Sequence, residues 1–423
     1  MKNHISIFLL SIILLGAASC KKNDSVSVNP LGPVKSDSIS MTAGYANEVY
    51  YSVTNGVIQT SSRATWDIAF RTSKRSSSIL INDGSGVVLY TYPKADTTGW
   101  VSMDTIGLSL WKPMYNDPAD WENGAFSRNA KEYPDYGWAI YNAVTHDLIG
   151  DSLFVIKLRD GSYKKLWIIK KLSSLDIYLF RFANLDGTNE LTVTQDLSTL
   201  TGSDFYGYSL ETATAVAIEP SKQSWDILFT KFMSIQPDGT PYLVTGVLVN
   251  DVSPTKKFYP VSLNYTDYNP GTWDSTRSSI GWNWKHFDMG TSTYKVVDSI
   301  VYFVTLSQGD VYKLYFTVFA GSSTGVVKFK LQKVAGAGIS AVTEQSPQWT
   351  AFPNLTGSTG NELTFILTDL SGRQLRADRL EQLTIGLSAF SMDETGVQPG
   401  MYFGTVCIAA TNKVSEIIFT QKA

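Results

Sequence analysis

One local pattern is spelled twice in this chain. An aromatic strand, Val49-Tyr50-Tyr51-Ser52-Val53, is followed by a turn and then by Trp66-Asp67-Ile68-Ala69-Phe70. Far downstream, Tyr206-Gly207-Tyr208-Ser209-Leu210 precedes Trp225-Asp226-Ile227-Leu228-Phe229. A second pattern recurs in the same order. Gly137-Trp138 leads to Asp151-Ser152-Leu153-Phe154-Val155 and Gly161-Ser162-Tyr163-Lys164-Lys165-Leu166. Gly281-Trp282 leads to Asp298-Ser299-Ile300-Val301-Tyr302-Phe303-Val304 and Gly309-Asp310-Val311-Tyr312-Lys313-Leu314. In both, an apolar strand meets a glycine turn and a strand carrying tyrosine and lysine, the signature of a β-hairpin. Two features repeated in order are the mark of duplication, which predicts homologous domains at 41–200 and 201–335.

Between these landmarks, short β-branched and aromatic runs alternate with clusters of Gly, Asn, Asp and Ser, and no long stretch has helical periodicity. The expected class is all-β, with sandwich-like domains. Hydrophobic residues make up 43% of the chain against 17% charged, enough for true cores. Side chains alternate faces along a strand. Trp66, Ile68 and Phe70 are therefore expected on one face and Asp67 on the other, with Trp225, Ile227, Phe229 and Asp226 repeating this. The Trp is expected to anchor a core and the Asp to accept hydrogen bonds from a neighbouring loop. With 35 Lys and Arg against 38 Asp and Glu, the chain has no basic field to meet a phosphate backbone, and nucleic acid is not an expected partner.

The N-terminus reads as a processing segment. Met1-Lys2-Asn3-His4 is a short basic region, Ile5 to Leu15 is apolar, and Gly16-Ala17-Ala18-Ser19 runs into Cys20. The apolar stretch is too short to span a bilayer comfortably and has the flanks of a signal peptide. Small residues running into cysteine resemble the lipobox of bacterial lipoproteins, with Ala17 where leucine is usual. This implies a signal at 1–20, lipidation of Cys20, a flexible tether over 21–40, and an outer-membrane protein facing the cell surface. Its only contact with the membrane is through the lipid. The other cysteine, Cys407, lies in an apolar run and is expected to be a small buried hydrophobe.

The order Trp66-Asp67-Ile68-Ala69-Phe70-Arg71, the Gly-rich Asn82-Asp83-Gly84-Ser85-Gly86-Val87-Val88, Gly-Trp and the Tyr-Lys hairpin resembles the HmuY-like domain of bacterial haem-acquisition lipoproteins. The resemblance covers most of residues 45–335. It implies an all-β fold and capture of haem in an apolar cleft. The segment 345–423 is similar to something else. Phe352-Pro353-Asn354, Asp369-Leu370-Ser371-Gly372-Arg373 and Pro399-Gly400-Met401-Tyr402-Phe403 resemble the C-terminal sorting domain of type IX secretion substrates, a small β-sandwich.

Haem capture requires apolar surroundings and axial ligands, commonly His or Met. The mature chain has two histidines, His146 and His286. In the haem-binding relatives an axial His falls in the loop after Gly-Trp, where His286 lies, and Met289 shares that loop. The relatives' other ligand comes from the segment before Gly-Trp, where the first copy offers Met114 and the second has neither His nor Met. Neither copy supplies two matching histidines. No cysteine pair or histidine cluster has metal-ligand spacing. No Gly-x-Ser-x-Gly elbow is present, and Gly84-Ser85-Gly86 opens no helix that could hold a phosphate. The chain is therefore expected to be non-enzymatic. Two readings remain. One is a surface lipoprotein that binds haem or a porphyrin for iron acquisition, with an outer-membrane haem receptor or host haemoproteins as partners. The other is a surface adhesion or interaction protein on the same scaffold, with haem binding lost.

Overall fold

The structure, a computed structural model, describes residues 31–200 and 202–336 with their side chains, and the backbone of eight strands between 349 and 420. It is all-β, made of antiparallel sheets. Cys20 and the expected signal segment lie outside the described residues, and the tether expected over 21–40 gives way at Lys35–Ser40 to a strand paired with Val326–Leu331.

The first eleven strands are β1 (Lys35–Ser40), β2 (Asn47–Ser52), β3 (Gly56–Ser62), β4 (Ile68–Arg71), β5 (Ile79–Ile81), β6 (Val88–Thr91), β7 (Ala139–Tyr141), β8 (Leu148–Gly150), β9 (Phe154–Lys157), β10 (Tyr163–Leu172) and β11 (Ile177–Asn184). The next eleven match them in order. They are β12 (Leu191–Asp196), β13 (Phe205–Ser209), β14 (Thr214–Val216), β15 (Ile227–Ile235), β16 (Pro241–Val249), β17 (Thr255–Phe258), β18 (Lys285–Asp288), β19 (Thr293–Val296), β20 (Val301–Thr305), β21 (Val311–Phe319) and β22 (Val326–Ala335).

Sheet pairing follows this correspondence. Strands β6, β9, β10, β11 and β12 form one run, and β17, β20, β21, β22 and β1 form its counterpart. The smaller sheets run β14-β13-β4-β5 and β3-β2-β15-β16. Strands β7 and β8 extend the first large sheet through β10, whereas β18 and β19 stand as a separate hairpin.

Each copy thus gives its first three strands to the other. The cores record this exchange. One gathers Ile68, Phe70, Trp138, Phe154, Phe180 and Tyr208; the other gathers Ile39, Val49, Tyr51, Phe229, Trp284 and Phe329. The lobes are therefore residues 68–216 on one side, and 35–62 with 227–335 on the other. The division expected at 200/201 is crossed by β13 and β14, which join the sheet of β4. All belong to one compact unit.

The Trp-Asp segments sit where the exchange happens. Asp67 Oδ2 accepts from the backbone N–H of Leu210 at 2.7 Å and of Glu211 at 3.3 Å, holding the turn after β13. Asp226 Oδ2 accepts from Val53 N–H at 2.8 Å after β2, and its Oδ1 accepts from Ser253 Oγ at 2.9 Å. The expected acceptor role is what the Asp performs, and the backbone donors come from the other copy. Trp66 departs from the alternation. A 3-10 turn at Arg63–Thr65 precedes it, and the strand begins only at Ile68. Trp66 therefore packs with Ala69, Leu80 and Phe205 on the opposite sheet face from Ile68 and Phe70. Trp225 does the same with Tyr50 and Leu228. Trp121 touches both of these back-face clusters, donates to Val249 O at 3.0 Å, and carries the Arg277 guanidinium 3.8 Å from its ring.

The C-terminal unit contains β23 (Trp349–Ala351), β24 (Asn354–Leu355), β25 (Leu363–Asp369), β26 (Gln374–Leu380), β27 (Gly386–Leu387), β28 (Phe390–Met392), β29 (Met401–Ile408) and β30 (Val414–Thr420). Its main sheet runs β26-β25-β29-β30, with β23 paired to β28 and β24 to β27. Strand β25 pairs with β26, and Asp369 pairs in register with Tyr402.

Candidate functional site

The proposed iron ligands occupy three different settings. Met114 is 3% exposed and packs in the core with Leu89, Phe126 and Phe154. Its backbone N–H donates to Leu89 O at 2.8 Å, and its sulfur accepts from Thr91 Oγ1 at 3.5 Å. His146 is exposed in the β7–β8 turn. His286 is exposed on β18, opposite Lys295, and Met289 is 82% exposed in the turn that follows. The two histidines therefore lie on hairpins of different lobes. Met114 is committed to packing in the first lobe's core.

Their hairpins are counterparts, but their positions are not. Trp138 O accepts from Asp151 N–H at 3.2 Å, and Trp284 O accepts from Val297 N–H at 2.9 Å. Both tryptophans are deeply buried and each immediately precedes its hairpin. Trp284, not Trp282, is thus the structural partner of Trp138. His286 falls in the first strand of its hairpin, and His146 falls at the end of the turn. Beneath the second hairpin, Lys285 is buried against the rings of Trp284 and Phe319, at 4.6 and 4.5 Å. It donates to Thr245 O at 2.6 Å, and burial pulls its pKa down to about 7.

The β7–β8 turn brings together groups that sequence reasoning did not pair. Asn142 Oδ1 accepts from Val144 N–H at 2.9 Å and Thr145 N–H at 3.2 Å, while His146 N–H donates to Asn142 O at 2.8 Å. His146 takes a left-handed φ of 61°. Its ring turns back on the last residue of β7, with Nδ1 2.5 Å from the Tyr141 hydroxyl. Tyr141 is itself held by its N–H donating to Pro134 O at 2.9 Å. Its ring lies 5.8 Å from that of Tyr133 and 6.4 Å from that of Tyr136. Tyr133 is 69% exposed and Val144 89%. The only trace of this in the sequence is a tyrosine and a histidine five residues apart across a turn containing asparagine.

Tyr136 also lines a polar cleft of about 520 Å³ walled by Arg75, Ser76, Asp120, Glu122, Arg128 and Asp135, among others. Its walls are fixed by internal bonds. Glu122 pairs with Arg71 at 3.1 Å and accepts from Ser76 Oγ at 2.5 Å. Asp135 accepts from the N–H groups of Gly137 at 2.6 Å and Lys131 at 3.2 Å. The cleft is assembled from loops without periodic pattern, which is why the sequence did not disclose it. No family model, curated protein or solved structure matches this chain. Among the described residues, no group of three or more His, Cys, Asp or Glu is placed to hold a metal ion, and no helix is long and apolar enough to cross a membrane.

Proposed function

We propose that this chain is a surface-displayed, non-enzymatic lipoprotein that captures haem or a related iron porphyrin. In this proposal Tyr141 is the iron ligand and His146 is its hydrogen-bonded partner. The observation that carries the reading is the 2.5 Å contact between the Tyr141 hydroxyl and His146 Nδ1. In the tautomer whose Nδ1 carries no proton, the imidazole accepts the phenolic hydrogen bond and can take up the proton that the phenol loses on binding iron. A hard, anionic oxygen suits ferric iron, and tyrosine is a known axial ligand of haem. The exposed ring of Tyr133 offers a flat apolar contact beside it. In this reading His146 supports the ligand rather than being one, and Met114 is structural. His286 and Met289 on the other lobe remain as a separate possible ligand pair.

The test is a haemin titration of the chain from Lys21 to Ala423, followed by absorbance. A saturable Soret shift is expected, abolished in Tyr141→Phe and unchanged in His286→Ala and Met289→Ala. In His146→Ala the affinity should fall about tenfold, as loss of one hydrogen bond of roughly 1.4 kcal/mol implies. A shift that follows His286 instead would place the iron on the second lobe. No shift beyond non-specific haemin background would sink the haem reading. The second reading, a surface interaction protein, is favoured by the polar cleft, whose lining is unlike a porphyrin pocket.

A further inference from the structure

We infer that the polar cleft of the first lobe is a binding site for a neutral oligosaccharide. The argument starts from what the cleft's charges would reject, and it shares only the Tyr133–Tyr141 surface with the haem proposal. Two guanidinium groups, Arg75 and Arg128, face three carboxylates, Asp120, Glu122 and Asp135. Arg128 is already paired with Asp117, and Glu122 with Arg71. A polyanion entering here would meet the carboxylates, and a polycation would meet the guanidiniums. A ligand without net charge that both donates and accepts hydrogen bonds fits both signs at once.

The functional groups fit the hydroxyls of a sugar. Carboxylate oxygens accept from vicinal hydroxyl pairs, and guanidinium N–H groups donate to hydroxyl and ring oxygens. Arg75 is exposed and makes no hydrogen bond or ion pair among the described residues. The walls are held in place before any ligand arrives. Asp120 accepts from Glu122 N–H at 2.8 Å, and Asp135 is fixed by its two backbone donors. Such pre-organisation lowers the entropic cost of binding a polar ligand.

The aromatic residues give the site a direction. Tyr136 lines the cleft, the Tyr141 ring lies 6.4 Å from it, and the Tyr133 ring lies 5.8 Å beyond. Aromatic faces stack on the apolar C–H face of a pyranose through dispersion and weak C–H contacts. A saccharide seated in the cleft could therefore extend over this row of tyrosines, and longer chains should bind more tightly than short ones.

The experiment is calorimetric titration of the chain from Lys21 to Ala423 with neutral di- and hexasaccharides of glucose, mannose and N-acetylglucosamine. Polygalacturonate serves as the anionic comparison. Saturable binding of at least one neutral hexasaccharide is expected, tighter than that of its disaccharide. Arg75→Ala and Asp120→Ala should each weaken it about tenfold or more, Arg75→Ala with unchanged melting temperature. Tyr133→Ala should weaken the hexasaccharide and leave the disaccharide unaffected. The inference is overturned if no neutral saccharide binds, or if binding survives both cleft substitutions. It is also overturned if only polygalacturonate binds, through Arg75.

Discussion

At the scale of single residues, the most exacting positions are the two aspartates after the tryptophans. Asp67 and Asp226 are buried, and burial raises the pKa of each despite the donors that favour its charged form. Each holds the turn of a strand from the other copy, so each locks the exchange as well as a loop. Asp226→Ala leaves Val53 N–H and Ser253 Oγ without their acceptor. The expected loss is about 2–3 kcal/mol, the usual range for a charged hydrogen bond removed from a buried donor. Asp226→Asn should lose less, because one acceptor oxygen remains. Urea denaturation checks both, and equal losses for Ala and Asn would mean that the charge rather than the acceptor matters. The sequence made this role readable, because strand alternation sets Asp apart from its hydrophobic neighbours. It misplaced the tryptophans, because a 3-10 turn resets the alternation just before the strand. It could not pair Tyr141 with His146, since a left-handed residue at 146 is not predictable from residue type.

At the scale of elements, exchange puts charged groups where strands from the two copies meet. Glu48 on β2 is buried beside Thr230 on β15, whose hydroxyl donates to it at 3.1 Å, and burial lifts its pKa to about 7. Asp83, after β5, is pushed up to about 6 by burial, partly offset by Arg277 of the other lobe and by Asn116. For both groups the folded state holds its proton more tightly than the unfolded chain. Between the ordinary carboxylate range and these values, stability therefore falls as pH rises, by up to about 1.4 kcal/mol per pH unit for each group. Lys285 has the opposite sign. Its pKa is lowered in the fold, so its charged form is penalised, and the penalty is relieved as pH rises from about 7 towards the ordinary lysine value. Glu219, lifted to about 8 by burial, adds a loss of the same sign that runs on past neutrality, so the melting temperature should be highest in mild acid, fall towards neutrality, and recover only above about pH 8. Glu48→Gln should flatten the descending limb while leaving the recovery in place. A melting temperature that instead rose steadily from pH 5 to 7 would contradict this account. The hairpins themselves were legible: Gly161 and Gly309 both take positive φ, and β9–β10 and β20–β21 pair as their repeated sequences imply. The Gly-Trp landmark was less faithful. Gly281 pairs with Val247 across the sheet, and the counterpart of Trp138 lies three residues later, at Trp284.

At the scale of the molecule, similarity fixes the period of a duplication but not its phase. Tyr51 packs edge-on against Phe329 at 5.1 Å, just as Tyr208 packs edge-on against Phe180 at 5.0 Å. When homologous copies trade strands, each local environment is preserved, so no residue betrays the trade. Its consequences fall unequally on the two lobes. The first lobe is continuous in sequence from β4 to β14. The second depends on β1, β2 and β3, which supply Ile39, Met41, Tyr45, Val49, Tyr51 and Val53 to its core. They also supply an inner strand of its smaller sheet and an edge of its larger one. A chain that begins at Arg63 should therefore keep the first lobe and lose the second. Hydrogen exchange should show protection retained in β4–β14 and lost in β15–β22, with a smaller unfolding enthalpy. A segment of residues 31–62 added in trans should restore protection in β15 and β22 first, since these are the strands that β2 and β1 pair with. If the shortened chain instead kept protection in β15–β22, the exchanged strands would be dispensable to the lobe they complete. The two copies would then fold as the sequence first suggested, each from its own segment.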